Sequence, residues 1–311
     1  MLSVRNLIDT TSLTADDITQ ILDTAASFES VNNRAIKKVP ALRGRTIVNL
    51  FLEPSTRTKS SFELAEKRLS ADSLSMGGST SSVVKGESLA DTIQTISAMN
   101  VDMFVCRAKL AGTPQRITEN TDAVAINAGD GKHQHPTQAM LDLYTIRKNF
   151  GHLDGLRVAI VGDLAHSRVC GSLAPAFKTM GAEVTLVGPP TFQVDDPDWF
   201  GCPQTASLDD VIEDMDVVYM LRVQLERMEG AAIPSRREYN RLYGLDMTRV
   251  NRMKPDAIIC HPGPMNRGME INADVADCAR SRILNQVNAG VLTRMAEMYL
   301  LLGGENNGLS A

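Results

Sequence analysis

The chain has 311 residues, 43% of them hydrophobic and 22% charged, with a formal net charge of -5. That length exceeds what one core usually supports, so two α/β domains are the expectation, and the composition is ordinary for a globular protein. An acidic balance with scattered basic residues excludes a nucleic-acid footprint, and the absence of any apolar run near ~20 residues, or of a signal-peptide pattern, makes the cytoplasm the expected location with no membrane partner.

Five cysteines (Cys106, Cys170, Cys202, Cys260 and Cys278) are an odd number at long intervals with no Cys-x-x-Cys pair, which argues against a disulfide framework or a zinc knuckle and suggests small core residues. No internal repeat is evident.

Residues 14–29 read as a surface helix: Thr14 caps it, Asp16 and Asp17 occupy the first turn, and Ile18, Ile21, Leu22 and Ala25 recur at helical spacing. Thr46 to Leu52 is apolar and β-branched enough for a buried strand. Pro54 cannot continue a ladder, and the run Ser55-Thr56-Arg57-Thr58 then opens a helix whose Phe62, Ala65 and Leu69 share a face. A strand thus delivers a helix N-terminus to its own carboxyl end. Free backbone N–H groups, three hydroxyls and a guanidinium meet there, all donors suited to phosphate. An N-cap explains one of those hydroxyls at most.

A short strand over 71–76 is followed by a Gly- and Ser-rich run, Gly77 to Ser82, that ends in Lys85-Gly86 and feeds a helix over 87–99. Such a run is usually a surface loop, but a mobile loop bearing one lysine is also how a lid brings a cation to an anion. The strand 102–107 places Arg107 at its carboxyl end, where open parallel sheets hold their ligands. A fourth strand, 123–127, leads through Gly129 to Gln138 into a helix over 139–149. His133 and His135 invite a metal reading, yet no cysteine or carboxylate cluster completes a ligand set, and no metal is expected.

A second strand–helix–strand unit follows over 156–163, 168–180 and 183–188. Its Gly162-Asp163-Leu164-Ala165-His166-Ser167 turn lacks the three-glycine spacing that admits a pyrophosphate, so the fold is expected without a dinucleotide or other cofactor. The acidic stretch 195–198 reads as a solvated turn. A buried strand from Asp216 then ends in Arg222-Val223-Gln224-Leu225-Glu226-Arg227, a polar set dense enough to recognise a small acid through bidentate pairing. Strand 257–260 runs into His261-Pro262-Gly263-Pro264, and 283–302 is a long apolar-faced helix.

Five of these stretches, in this order, resemble the aspartate/ornithine carbamoyltransferase family: Ser55-Thr56-Arg57-Thr58, the loop with Ser81 and Lys85, His135-Pro136-Thr137-Gln138, the Arg222 to Arg227 segment, and His261-Pro262-Gly263-Pro264. The Arg222 segment resembles the aspartate-using branch, and Pro262 stands where ornithine enzymes usually carry a cysteine. The resemblance implies two doubly wound parallel-sheet α/β domains with the active site in the cleft between them. One is a carbamoyl phosphate domain over 1–137, completed by 285–311, and the other an L-aspartate domain over 138–284.

It further implies transfer of a carbamoyl group from carbamoyl phosphate to the L-aspartate α-amine, in pyrimidine synthesis. Ser55, Thr56, Arg57 and Thr58 would hold the phosphate, and Thr58, Arg107 and His135 would polarise the carbonyl. Gln138 and the backbone at Gly263 and Pro264 would fix the carbamoyl amide. Arg168, Arg222 and Gln224 would hold the aspartate carboxylates. Ser81 and Lys85 would come from the adjacent chain of a homotrimer, Lys85 touching both the aspartate and the carbamoyl phosphate, and Glu53 would close the domains against Arg168 and Arg227. Gly263 with Asn266-Arg267-Gly268 resembles members that assemble with dihydroorotase-type chains; a regulatory chain is the other partner the family suggests. Two rivals remain at this stage, a transferase for ornithine or an acylated ornithine and a non-enzymatic anion-binding α/β protein.

Overall fold

The structure, a computed structural model, describes residues 2–32, 34–77, 87–196, 199–224 and 235–303. The chain divides into two units, residues 1–144 with 288–311, and residues 145–287.

In the first unit α1 (Ala15–Ser27) carries a full capping box between Thr14 and Asp17 and is followed by the single turn α2 (Glu29–Asn32). Then come β1 (Thr46–Phe51), α3 (Thr56–Leu69), β2 (Asp72–Gly77), α4 (Leu89–Ser97), β3 (Met103–Ala108), α5 (Thr113–Thr118), β4 (Val124–Asp130) and α6 (Pro136–Phe150). The four strands are parallel in the order β2-β1-β3-β4, with Phe51 opposite Arg107 at the carboxyl ends of β1 and β3. The central strands are buried along nearly their whole length, as parallel strands covered on both faces must be. Val48, Leu50, Phe104, Cys106 and Ala125 pack with Ile93 and Ile96 of α4 and Ile117 of α5.

The second unit holds β5 (Arg157–Val161), α7 (Arg168–Thr179), β6 (Glu183–Val187), β7 (Gln204–Thr205), β8 (Val217–Met220), α8 (Arg236–Tyr243), α9 (Met247–Arg252), β9 (Ile258–Cys260), α10 (Ala273–Ala276) and the start of α11 (Ile283–Leu301). Its strands are parallel in the order β7-β6-β5-β8-β9. Gly162, immediately after β5, has φ 135°, and a Cβ there would lie 3.1 Å from the Leu221 Cβ and 3.3 Å from its carbonyl oxygen. Only glycine admits so close an approach of the two chain segments.

Both sheets reverse direction beside their first strand. In the first, the chain moves from β1 outward to β2 and then crosses to β3 on the other side; in the second it moves from β5 to β6 and β7 and returns to β8. Loops leaving the two strands at such a switch point part in opposite directions and open a crevice at the carboxyl edge, where ligands of open α/β sheets bind.

The structure departs from the sequence expectation in several places. Helix α6 begins at Pro136 rather than Ala139, because proline's fixed φ suits the first helical position, and Thr137 and Gln138 therefore belong to a helix rather than a loop. Strand β4 continues to Asp130, through Gly129, which periodicity discounts. Helices α5, α8 and α9 and the two-residue β7 were not expected at all. Cys106, Cys170, Cys202 and Cys260 are buried, Cys278 is partly buried, and all five are free thiols. Among the described residues no helix is long and apolar enough to cross a membrane.

Candidate functional site

At the first switch point Ser55 is the N-cap of α3, yet its side chain makes no capping hydrogen bond. Thr14, Ser88, Ser167 and Ser235 all accept one at their own helices. The first turn of α3 also holds no acidic residue, whereas those of α1 (Asp16 and Asp17), α4 (Asp91) and α8 (Glu238) do. The positive end of this helix thus presents its hydroxyls and Arg57 with no acidic residue in its own first turn, an electrostatic setting suited to receiving an anion.

Arg107, at the end of β3, is held beside that helix. Its Nη1 donates to Thr58 Oγ1 at 3.4 Å and to the Ala128 carbonyl at 3.3 Å, and its Nη2 lies 3.4 Å from Glu53 Oε1. Thr58 and Glu53 are themselves buried. Ser55, Thr56, Arg57, Thr58, Arg107 and Glu53 thereby lie at two adjacent strand ends, with Arg107 49 residues from Thr58 and 54 from Glu53 in sequence.

His135 and Gln138 stand where β4 gives way to α6. His135 is 3% exposed, with Nδ1 3.4 Å from Thr137 Oγ1. His133 pairs instead with Asp130 at 3.1 Å, so the two histidines of the His-x-His pair have separate partners. Gln138 Nε2 donates to both oxygens of Asp142, at 3.0 and 3.2 Å. A carboxylate can only accept, so Asp142 fixes which end of the amide is nitrogen and turns the Gln138 carbonyl oxygen to face elsewhere, ready for a donor. Asp142 carries no motif of its own; its spacing of one helical turn after Gln138 was the only signal in the sequence.

In the second unit Arg168 is the first residue of α7, 4% exposed, after the Ser167 cap. Across the same switch point β8 runs into Leu221, Arg222, Val223 and Gln224. Leu221 and Val223 are buried and anchor the segment, while Arg222 and Gln224 alternate with them and remain partly exposed. Val223 packs with Phe192, Tyr239 and Met269. The turn after β9 brings Gly263 into the left-handed region at φ 61° with a cis peptide to Pro264. The Gly263 N–H donates to His261 Nδ1 at 2.7 Å, so its carbonyl is the polar group left for a ligand. Ser81, Lys85 and Arg227 lie outside the described residues.

Two parallel-sheet units, one with hydroxyls, an arginine and a bare helix N-terminus at its switch point and the other with buried and half-buried arginines at its own, make this an α/β protein built to hold anions. Residues 5–148 match the carbamoyl-P binding domain of aspartate/ornithine carbamoyltransferases, and residues 154–301 match the Asp/Orn binding domain of the same enzymes. The chain belongs to the aspartate/ornithine carbamoyltransferase family. It is 54% identical over 301 residues to the aspartate carbamoyltransferase catalytic subunit of Thermobifida fusca, covering 97% of this chain and 96% of that protein.

Among solved structures it resembles aspartate transcarbamoylase from Trypanosoma cruzi in complex with carbamoyl phosphate, with TM-score 0.88, 29% identity and 94% of each chain covered. It also resembles ornithine carbamoyltransferase from Pyrococcus furiosus, with TM-score 0.87, 28% identity, and 97% of this chain and 98% of that one covered. The backbone therefore does not separate the two amino-acid substrates, and the choice between them rests on side chains.

Proposed function

We propose that this chain transfers the carbamoyl group of carbamoyl phosphate to the α-amine of L-aspartate, giving N-carbamoyl-L-aspartate and phosphate in pyrimidine synthesis. The observation that carries the reading is the pairing of two donor sets at two switch points: hydroxyls and arginines suited to a phosphate in one unit, and Arg168, Arg222 and Gln224 suited to a dicarboxylate in the other. An ornithine side chain is cationic, and a pocket with two arginines repels it. The high identity to a named aspartate enzyme supports the same choice.

In this reading the amine bonds to the carbamoyl carbon, a tetrahedral oxyanion forms, and the carbon–oxygen bond to phosphate breaks, the amine proton leaving with the departing phosphate. Every step moves negative charge, so fixed donors aimed at it are the catalyst and no nucleophile is required. Ser55, Thr56, Arg57 and Thr58 with the α3 N–H groups hold the phosphate, Arg57 stabilising it as it leaves. Thr58, Arg107 and His135 polarise the carbonyl. The Gln138 carbonyl oxygen, oriented by Asp142, accepts from the carbamoyl nitrogen, as do the backbone carbonyls at Gly263 and Pro264. Ser81 and Lys85 are assigned to a neighbouring copy's site, where Lys85 touches both ligands, and the family resemblance makes the functional unit a homotrimer; a dihydroorotase-type or regulatory chain would be a further partner, and the cytoplasm the location.

The test is the purified chain with carbamoyl phosphate and either L-aspartate or L-ornithine, reading the ureido product. Aspartate is expected to be the substrate. Faster carbamoylation of ornithine would overturn the reading.

A further inference from the structure

Glu270 is fully buried, and its Oε1 accepts from His261 Nε2 at 3.2 Å and from the Asn266 backbone N–H at 2.6 Å. His261, 1% exposed, accepts the Gly263 N–H on Nδ1, which leaves its proton on Nε2, facing Glu270. The Asn266 side chain donates from Nδ2 to the Val223 carbonyl at 3.0 Å. One carboxylate thus holds the 261–266 turn at both its ends, and from Asn266 a single further hydrogen bond carries the tie on to the 222–224 segment at the Val223 carbonyl. No other described contact ties Val223 to that turn by a side-chain hydrogen bond.

These are the two segments of the second unit to which ligands are assigned above: the turn to the carbamoyl amide, through the carbonyls of Gly263 and Pro264, and the segment to the aspartate carboxylate, through Arg222 and Gln224. Glu270 Oε2 finds no hydrogen-bond partner among the described residues. A buried carboxylate with one oxygen unpaired is costly, and an apolar residue would fill the space at less expense if filling were its only task. We propose that Glu270 is a positioning residue that sets these two ligand-holding segments relative to each other, with His261 and Asn266 as its two arms; the proposal rests on the carbamoyl-transfer reading.

The arms differ in what they hold, so they separate by substrate. Asn266→Ala removes the link to Val223 while keeping the backbone N–H on Glu270, and is expected to raise the aspartate KM roughly 10-fold with the carbamoyl phosphate KM within about 2-fold of wild type. His261→Ala removes the acceptor that orients Gly263 and is expected to lower kcat and raise the carbamoyl phosphate KM by roughly 10-fold or more, with a smaller effect on aspartate. Glu270→Ala combines both losses. Glu270→Gln keeps an acceptor oxygen for the same two donors and is expected to recover most of what alanine loses.

Steady-state kinetics in both substrates, with thermal melts of each variant, decides the matter. If Asn266→Ala and His261→Ala lower stability without a substrate split, or if glutamine at 270 behaves as alanine does, Glu270 is a structural residue and the proposal fails. A wild-type chain that does not carbamoylate aspartate would overturn the functional reading and the proposal with it.

Discussion

Arg107 Nη2 and Glu53 Oε1 stand 3.4 Å apart at the carboxyl ends of neighbouring strands, both side chains about one-tenth exposed. The pair orients the guanidinium whose other nitrogen reaches Thr58 and Ala128. The sequence assigned Glu53 to domain closure, a role that needs Arg168 and Arg227 as partners; this contact gives it a task within its own unit. Glu53→Ala is expected to raise the carbamoyl phosphate KM about 10-fold and lower kcat, because loss of the Glu53 carboxylate lets the Arg107 guanidinium turn away from the carbonyl it is proposed to polarise. If only the aspartate requirement rises, closure is the role of Glu53.

Arg57 is exposed in the first turn of α3, and the Ser55 N-cap hydroxyl makes no cap bond. A guanidinium has no acceptor to cap a helix and opposes the positive end of the dipole, so a purely helical role would make its removal neutral or slightly stabilising and leave the rate alone. Arg57→Ala is instead expected to lower kcat by roughly 10²- to 10³-fold, as for loss of one preorganised donor to a developing anion, with an unchanged melting temperature. Steady-state rates beside thermal melts distinguish the two.

In the proposed reading Arg222 offers a charge-assisted, bidentate contact to the aspartate carboxylate. Its replacement by alanine is expected to cost about 2 to 4 kcal/mol of transition-state binding, or roughly 30- to 1000-fold in kcat/KM for aspartate, with carbamoyl phosphate binding altered little. Equal losses toward both substrates, measured by calorimetry for carbamoyl phosphate and by kinetics for aspartate, would remove Arg222 from the aspartate site.

Local signals carried much of this in the sequence and failed where structure is long-range. The strand, Pro54 and hydroxyl run that lead into α3 could be read because each is a neighbour of the next, and the same holds for the Thr14 cap of α1. The strand order could not: nothing in residues 46–53 or 102–107 says that β1 and β3 lie side by side, and only that adjacency brings Glu53 to Arg107. Helices α8 and α9 escaped because eight and six residues give too little periodicity, although Ser235 with Glu238, and Asp246, were capping signals. Glu270 carries no motif, and its partners are set by how the turn after β9 folds back.

Glu297 supplies the last prediction. It is fully buried on α11, neither carboxyl oxygen has a hydrogen-bond partner among the described residues, and burial raises its pKa to about 8 against the pull of Arg294 one turn earlier. Arg294 is itself pushed down to about 10 by burial, donates to Ser61 Oγ at 2.6 Å and lies 4.9 Å from the centre of the Phe62 ring. It stays charged throughout the range that matters here. Below about pH 4.5 Glu297 is protonated in the folded and unfolded chain alike, and the stability linked to its proton is fully present. Between 4.5 and 8 the unfolded chain releases the proton while the folded one retains it, so that stability is lost progressively as pH rises, by a few kcal/mol at the upper end. Glu297→Gln has no proton to lose and nearly the same shape. The variant is expected to match wild type in melting temperature near pH 4.5, to exceed it increasingly up to about pH 8 and to keep that margin at pH 9, with catalysis unaffected by the exchange itself. Other carboxylates shift both proteins together, so the difference between the two melting curves isolates this group. A difference that stays constant from pH 5 to 9 would mean that Glu297 ionises as an ordinary carboxylate and that Arg294 compensates its burial.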